Sequence, residues 1–159
     1  MLTSRSEYLA RPDCRLHLRR WGRPDAPILF LLHGWMDVSA SFQFTVDELQ
    51  RDWNIVAPDW RGFGPSQWLK RPYYFADHLG DLEAIVDHYA PDGPLWLAGH
   101  SMGGILAALY AGIRPERVAS VVSLEGFGIA PNHPDMAPER YRQWLGILKK
   151  PPRMHVYAD

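Results

Sequence analysis

Short apolar runs alternate along this chain with longer stretches whose apolar residues recur every three or four positions. The runs are ILFLLHG at 28–34, WNIVA from Trp53 to Ala57, Leu95 to Ala98, and VASVVSL from Val118 to Leu124. Each is too short for a buried helix and too uniformly apolar for a half-exposed strand, so each predicts a strand buried on both faces. Residues 14–21 differ: Leu16, Leu18 and Trp21 alternate with charged neighbours, which predicts an early antiparallel strand. Between the runs, helical spacing predicts a helix over 39–51 on Phe42, Val46 and Leu49. A second is predicted over 75–90, with Phe75, Leu79, Leu82, Val86 and Tyr89 on one face. A third, rich in small apolar residues, covers 102–113.

Strands that alternate with helices in this way build a mostly parallel sheet with crossover helices on both faces, so the fold class is α/β. After about residue 129 the texture changes. Pro131, Pro134 and Pro138 break the pattern, a short helical stretch follows near 139–149, and Pro151-Pro152 ends it. The expected division is therefore a core over 1–128 and a separate region over 129–159.

Composition narrows the function classes more than it selects among them. The 159 residues are 47% hydrophobic and 22% charged, with seven tryptophans, which is ordinary for a soluble globular chain. A net charge of −1 offers no long-range attraction for nucleic acid or an anionic membrane, so neither is expected as a partner. The first residues lack the apolar stretch of a secretory signal, and Ile28–Leu32 is far short of the roughly 20 residues that cross a bilayer. The single cysteine, Cys14, forbids an internal disulfide and reads as a small core residue. Together these point to the cytoplasm.

The chemistry sits at Gly99-His100-Ser101-Met102-Gly103, a G-x-S-x-G pattern placed between a predicted strand and a predicted helix. A serine on so sharp a turn has strained backbone, and the residues two before and two after must be small. The turn lifts the Ser101 hydroxyl clear of the sheet and points the N–H groups of a helix start at the reaction centre. A nucleophilic serine needs donors for the oxyanion that forms on attack. The N–H of Met102 is one. The N–H of Trp35 is the other, from the His33-Gly34-Trp35 loop after ILFLL, where Gly34 permits the tight turn. His33 reads as support for that loop rather than as the base, because a base must approach the serine from the opposite side. Trp35, Met36 and Met102 are candidate apolar walls. Gly62-x-Gly64 lacks the third glycine of a phosphate loop, and neither it nor Gly126-x-Gly128 opens a helix of the required kind. No cofactor and no metal are called for. His78 and His88 lie ten residues apart among Asp77, Asp81 and Asp87, which reads as a solvated helix face.

His33-Gly34-Trp35, then Asp59-Trp60-Arg61-Gly62-Phe63-Gly64-Pro65-Ser66, then Gly99-His100-Ser101-Met102-Gly103-Gly104 resemble the α/β-hydrolase superfamily, in its order and spacing, over about residues 14–128. The middle block resembles the D-x-R-G-x-G-x-S loop of lipase-like and esterase-like members, where Asp59 and Arg61 read as scaffold. The resemblance implies a serine hydrolase acting on an ester or related acyl bond through Ser101. It also implies an order of nucleophile, acid and histidine, with the last two after later strands. This sequence ends before those positions, inside what resembles the start of a cap, so the C-terminal strands of that core are expected to be missing. Some members carry the acid after the sixth strand, which makes Glu125 the candidate here. Of the histidines, His100 is expected to turn away from the nucleophile, and only His133 and His155 lie where they could swing over it. The alternative is a catalytically inactive fragment or interaction module, with Val118–Leu124 as an apolar edge open to self-association.

Overall fold

The computed structural model describes residues 1–128 and 133–149. They fall into two compact units, one reaching Phe127 and one beginning at Gly128. The first unit is a six-stranded sheet with order β1-β2-β4-β3-β5-β6. Its strands are β1 Arg5–Ala10, β2 Arg15–Gly22, β3 Ile28–Leu32, β4 Asn54–Pro58, β5 Leu95–His100 and β6 Val118–Leu124. β4, β3, β5 and β6 run parallel, while β2 is antiparallel to β4 and β1 to β2.

Strand alternation divides the core into two clusters, one per face. On one face Phe30 and Leu32 join Leu16, Leu18, Val56 and Leu97 beneath α2 (Phe75–Tyr89) and α3 (Met102–Ile113). On the other, Leu29 and Leu31 join Trp21, Ile55 and Ala57, covered by Phe42 and Val46. Those two residues belong to a 3-10 turn, Ser39–Phe42, and a five-residue helix α1, Gln43–Asp47. The periodicity of 39–51 predicts a longer helix than forms. Leu49 still packs on the cluster, but it does so from the turn after α1.

Three more differences from expectation have physical reasons. β1 pairs with β2 over six residues, although its own pattern of exposed charges predicts no strand. An edge strand against an antiparallel neighbour needs few buried side chains. The buried face of α2 is His78, Asp81, Leu82, Ile85 and Val86, while Phe75 is exposed. His78 and Asp81 therefore do not lie on a solvated face, and the helix is turned so that two polar residues face inward. Finally, β6 pairs with β5 alone and its residues are half-buried or exposed, with Val122 and Leu124 each about half accessible. Its apolar composition predicts a buried strand; within the first unit it is instead an open, apolar edge.

The second unit contains a 3-10 turn, Pro134–Met136, and the helix α4, Ala137–Lys149. His155 lies outside the described residues. Among the described residues no helix is long and apolar enough to cross a membrane.

Candidate active site

β5 ends at His100 and α3 begins at Met102, so a single residue makes the turn between them. That residue is Ser101, with φ 50° and ψ −115°. For a residue with a side chain this conformation costs about 1–3 kcal/mol, and it persists only where the surroundings enforce it. Here α3 presses directly on the sheet. A Cβ on Gly103 would lie 2.0 Å from the Leu32 carbonyl oxygen, and one on Gly99 would lie 2.3 Å from the Gly103 backbone. Neither neighbour can move without shifting a strand or the helix, so glycine is required at both.

Among the described residues three non-glycine residues have positive φ: Met36 (59°), Ser101 (50°) and Glu125 (58°). They follow β3, β5 and β6, three neighbouring parallel strands, at the C-terminal ends. Strain of this kind collects at functional sites, and that end of an open parallel sheet is where such sites form. The three loops touch. The Ser101 N–H donates to the Leu124 carbonyl at 2.8 Å, which fastens the elbow to the end of β6. A Cβ on Gly34 would stand 3.2 Å from the Ser101 Cβ and 3.0 Å from His100 Nδ1, so the loop after β3 passes immediately beside the serine.

His100 stands between these loops. Its Nε2 is 3.7 Å from a Glu125 carboxylate oxygen, and both side chains are substantially exposed. The ring expected to turn away from the site is thus a neighbour of both Gly34 and Glu125. Met102 is buried at the first position of α3, where its N–H has no partner within the helix. Trp35 and Met36 are exposed, and the Trp35 ring meets Phe63 edge-on at 5.2 Å.

His33 is completely buried. Its Nε2 accepts the Trp60 backbone N–H at 3.0 Å, and its Nδ1 lies 2.7 Å from the Gly34 carbonyl. The Trp60 indole N–H returns to the His33 carbonyl at 3.0 Å. Burial lowers the His33 pKa, and the nearby Asp59 and Asp37 only partly oppose this.

The Asp59–Ser66 block supports the site from below. Asp59 accepts from the Ser39 N–H in the loop after β3 and pairs with His17 on β2 at 2.6 Å. Arg61 grips Asp81 of α2 with two bonds of 2.6 Å and also reaches Asp13 and Asp77. The bond to Asp81 raises the guanidinium pKa. His78 packs edge-on against Trp60, with its Nδ1 buried and without a partner among the described residues. Burial lowers its pKa as well. Cys14 lies in the same region; burial pushes its thiol up to about 11, well away from a reactive thiolate. The buried ring of His78 and the carboxylate of Asp81 were missed from the sequence. The signal that could have pointed to them is their helical spacing with Leu82 and Ile85, which puts all four on one face.

None of the described histidines hydrogen-bonds to the Ser101 hydroxyl. Among the described residues no cluster of histidine, cysteine and carboxylate side chains could hold a metal ion.

Comparison with known proteins identifies the fold family. The family model for the alpha/beta hydrolase fold matches residues 27–154. A serine hydrolase-like protein of Danio rerio is 35% identical over 119 residues, covering 70% of this chain and 34% of that protein. A pimeloyl-[acyl-carrier protein] methyl ester esterase of Vibrio parahaemolyticus is 33% identical over 132 residues, covering 83% of this chain and 46% of the esterase. Among solved structures, the thioesterase domain from the curacin biosynthetic pathway superposes with a TM-score of 0.80 at 25% identity. It covers 98% of this chain and 57% of that domain. The chain thus spans between 34% and 57% of the length of these relatives.

Proposed function

This chain belongs to the α/β-hydrolase fold family, and on that premise we propose that it carries the nucleophile of a serine hydrolase acting on an ester or related acyl bond. The observation that supports this most directly is the conformation of Ser101, forced to φ 50° between β5 and α3 with Gly34 packed against it. In this reading the Ser101 hydroxyl oxygen attacks the substrate carbonyl and its proton passes to a base. The N–H groups of Trp35 and Met102 hold the oxyanion. The alcohol leaves with the proton, and water then hydrolyses the acyl-serine by the same steps. Glu125, just past β6, is the candidate carboxylate to orient the base. Proteins similar to this chain carry names as different as esterase, lipase and epoxide hydrolase. A serine at the elbow favours acyl chemistry over attack through a carboxylate.

The base is a histidine outside the first unit. Within that unit His17 is taken by Asp59 and Ser6, His33 by Trp60 and Gly34, and His78 is buried against Trp60. His88 sits in the last turn of α2, and His100 adjoins the serine in the chain itself.

A small activated ester, incubated with the protein and with its Ser101→Ala variant, tests the proposal. Turnover that disappears in the variant supports it, as does covalent labelling of Ser101 by an organophosphonate. Turnover that survives in Ser101→Ala would sink it. Ser101-dependent hydrolysis by residues 1–159 would put the base at His133 or His155, the histidines beyond the first unit.

One observation favours a second reading, that the chain serves as an interaction module: within the first unit β6 pairs with β5 alone and presents an apolar edge strand.

A further inference from the structure

The pair that Asp59 makes with His17 continues to a third residue. His17 on β2 and Asp59 after β4 are each 1% exposed, and they meet at 2.6 Å through His17 Nδ1. On the far side of the ring, His17 Nε2 lies 2.9 Å from Ser6 Oγ. Ser6 belongs to the edge strand β1 and is exposed. An open hydroxyl, a buried imidazole and a buried carboxylate thus stand in line. Three strands, β2, β4 and β3, separate β1 from β5, which at about 4.8 Å per strand puts Ser6 on the order of 20 Å from Ser101.

The order of hydrogens follows from the carboxylate, which can only accept. The neutral ring therefore carries its hydrogen on Nδ1, facing Asp59, and Nε2 is left to accept the Ser6 O–H. In this arrangement a histidine can take a proton from a serine while a carboxylate keeps the ring oriented. The residue is held on several sides. Its N–H donates to Ser66 Oγ at 2.8 Å, its carbonyl accepts the Asp59 N–H at 2.9 Å, and Tyr8 meets its ring edge-on at 5.2 Å. Opposite Ser6 in the β1–β2 register stands Arg19, whose Nη1 donates to Ser4 Oγ at 2.8 Å. Its Nε has no partner among the described residues. A positive charge beside Ser6 favours the oxyanion that attack by its hydroxyl would produce.

From this line of groups we infer that Ser6, His17 and Asp59 form a second nucleophilic site, at which Ser6 accepts an acyl group from a small activated ester. The Ser6 oxygen attacks the ester carbonyl and forms the new C–O bond, while its proton passes to His17 Nε2. The tetrahedral adduct then breaks its bond to the leaving oxygen, which departs as an alcohol with the proton from Nε2. Asp59 pairs with the imidazolium at Nδ1 while it exists. The product is an unactivated serine ester, far less reactive than the donor, so one acyl group is transferred per chain and turnover is not expected. Turnover that depends on Ser101 is a separate quantity, and the inference does not rest on it.

The test exposes the protein carrying Ser101→Ala to a small nitrophenyl ester and locates the acyl groups by peptide mass spectrometry. Ser4, two residues before Ser6 and bonded to Arg19 rather than to a histidine, is the internal control. General-base assistance contributes about 10²–10⁴-fold, so Ser6 is expected to be acylated at least ~10²-fold faster than Ser4. Ser6→Ala should remove the fast adduct, and His17→Gln should slow it by a similar factor. Equal rates at Ser4 and Ser6, or no adduct at Ser6, would overturn the inference. Should His17→Gln fail to fold, as circular dichroism would reveal, the comparison of the two serines decides by itself. Failure of the organophosphonate to label Ser101 in the unaltered protein would instead remove the hydrolase reading, and would leave the rates at Ser6 and Ser4 as they are.

Discussion

The Ser101 N–H and the Leu124 carbonyl are joined at 2.8 Å, so the residue in the strained turn is fastened to the last residue of the sheet's edge strand. The edge is therefore part of the frame that holds the serine, although Val122 and Leu124 on it remain about half exposed. Each such side chain forgoes part of the roughly 1.5–3 kcal/mol that full burial contributes. Residues 1–159 should self-associate in a concentration-dependent way, and Val122→Lys should weaken that by placing a charge on the edge. Sedimentation velocity over a range of concentrations checks this. A monodisperse monomer from the unaltered chain would contradict it.

Gly103→Ala should be among the most damaging small substitutions. Its Cβ would sit 2.0 Å from the Leu32 carbonyl oxygen, where both neighbours are backbone. Overpacking of this kind costs about 1–3 kcal/mol, and an unyielding contact belongs at the upper end. Urea unfolding measures the loss. A stability equal to wild type would show that α3 does not press on β3 as described.

Asp81 and Arg61 are each at most 1% exposed and share two hydrogen bonds. Removal of one member of a buried pair leaves the other charge uncompensated and typically costs 3–5 kcal/mol, so Asp81→Leu should destabilise the chain by about that much. Asp13 and Asp77 retain hold of Arg61, which sets the lower end as the expectation. A loss under ~1 kcal/mol would class the pair with surface ion pairs.

Stability should fall in weak acid. The His33 and His78 pKa values are both lowered by burial in the folded chain, whereas an unfolded imidazole titrates near about 6.5. Above that value both states are neutral and these groups give no slope. Below it the unfolded chain binds more protons, so stability declines until the lowered folded values are reached and then levels. His78→Phe should flatten part of the decline, since it also removes an unpartnered buried nitrogen. Chemical denaturation across this range is the check, and an unchanged slope in His78→Phe would exclude His78 as a contributor.

Much of this molecule was legible before any coordinates. The uniform apolarity of ILFLL, WNIVA and the run from Leu95 marks buried strands, and helix α3 and strand β6 form over the predicted residues, although β6 is an open edge. The glycine spacing around Ser101 likewise marked a strand-to-helix turn, because close approach of backbones admits no other residue. Both are local properties, and local properties are written in consecutive residues.

What depended on distant partners was not legible. β1 exists because β2 lies alongside it. His78 and Asp81 turn inward because Trp60 and Arg61, from another loop, are there to meet them. The sequence by itself determined an α/β chain with a serine elbow; only the tertiary structure decided that Met36, Ser101 and Glu125 share one end of the sheet and that His33 holds Gly34 from behind. Spacing along a chain specifies turns and faces, whereas hydrogen-bond partners are chosen by which elements end side by side.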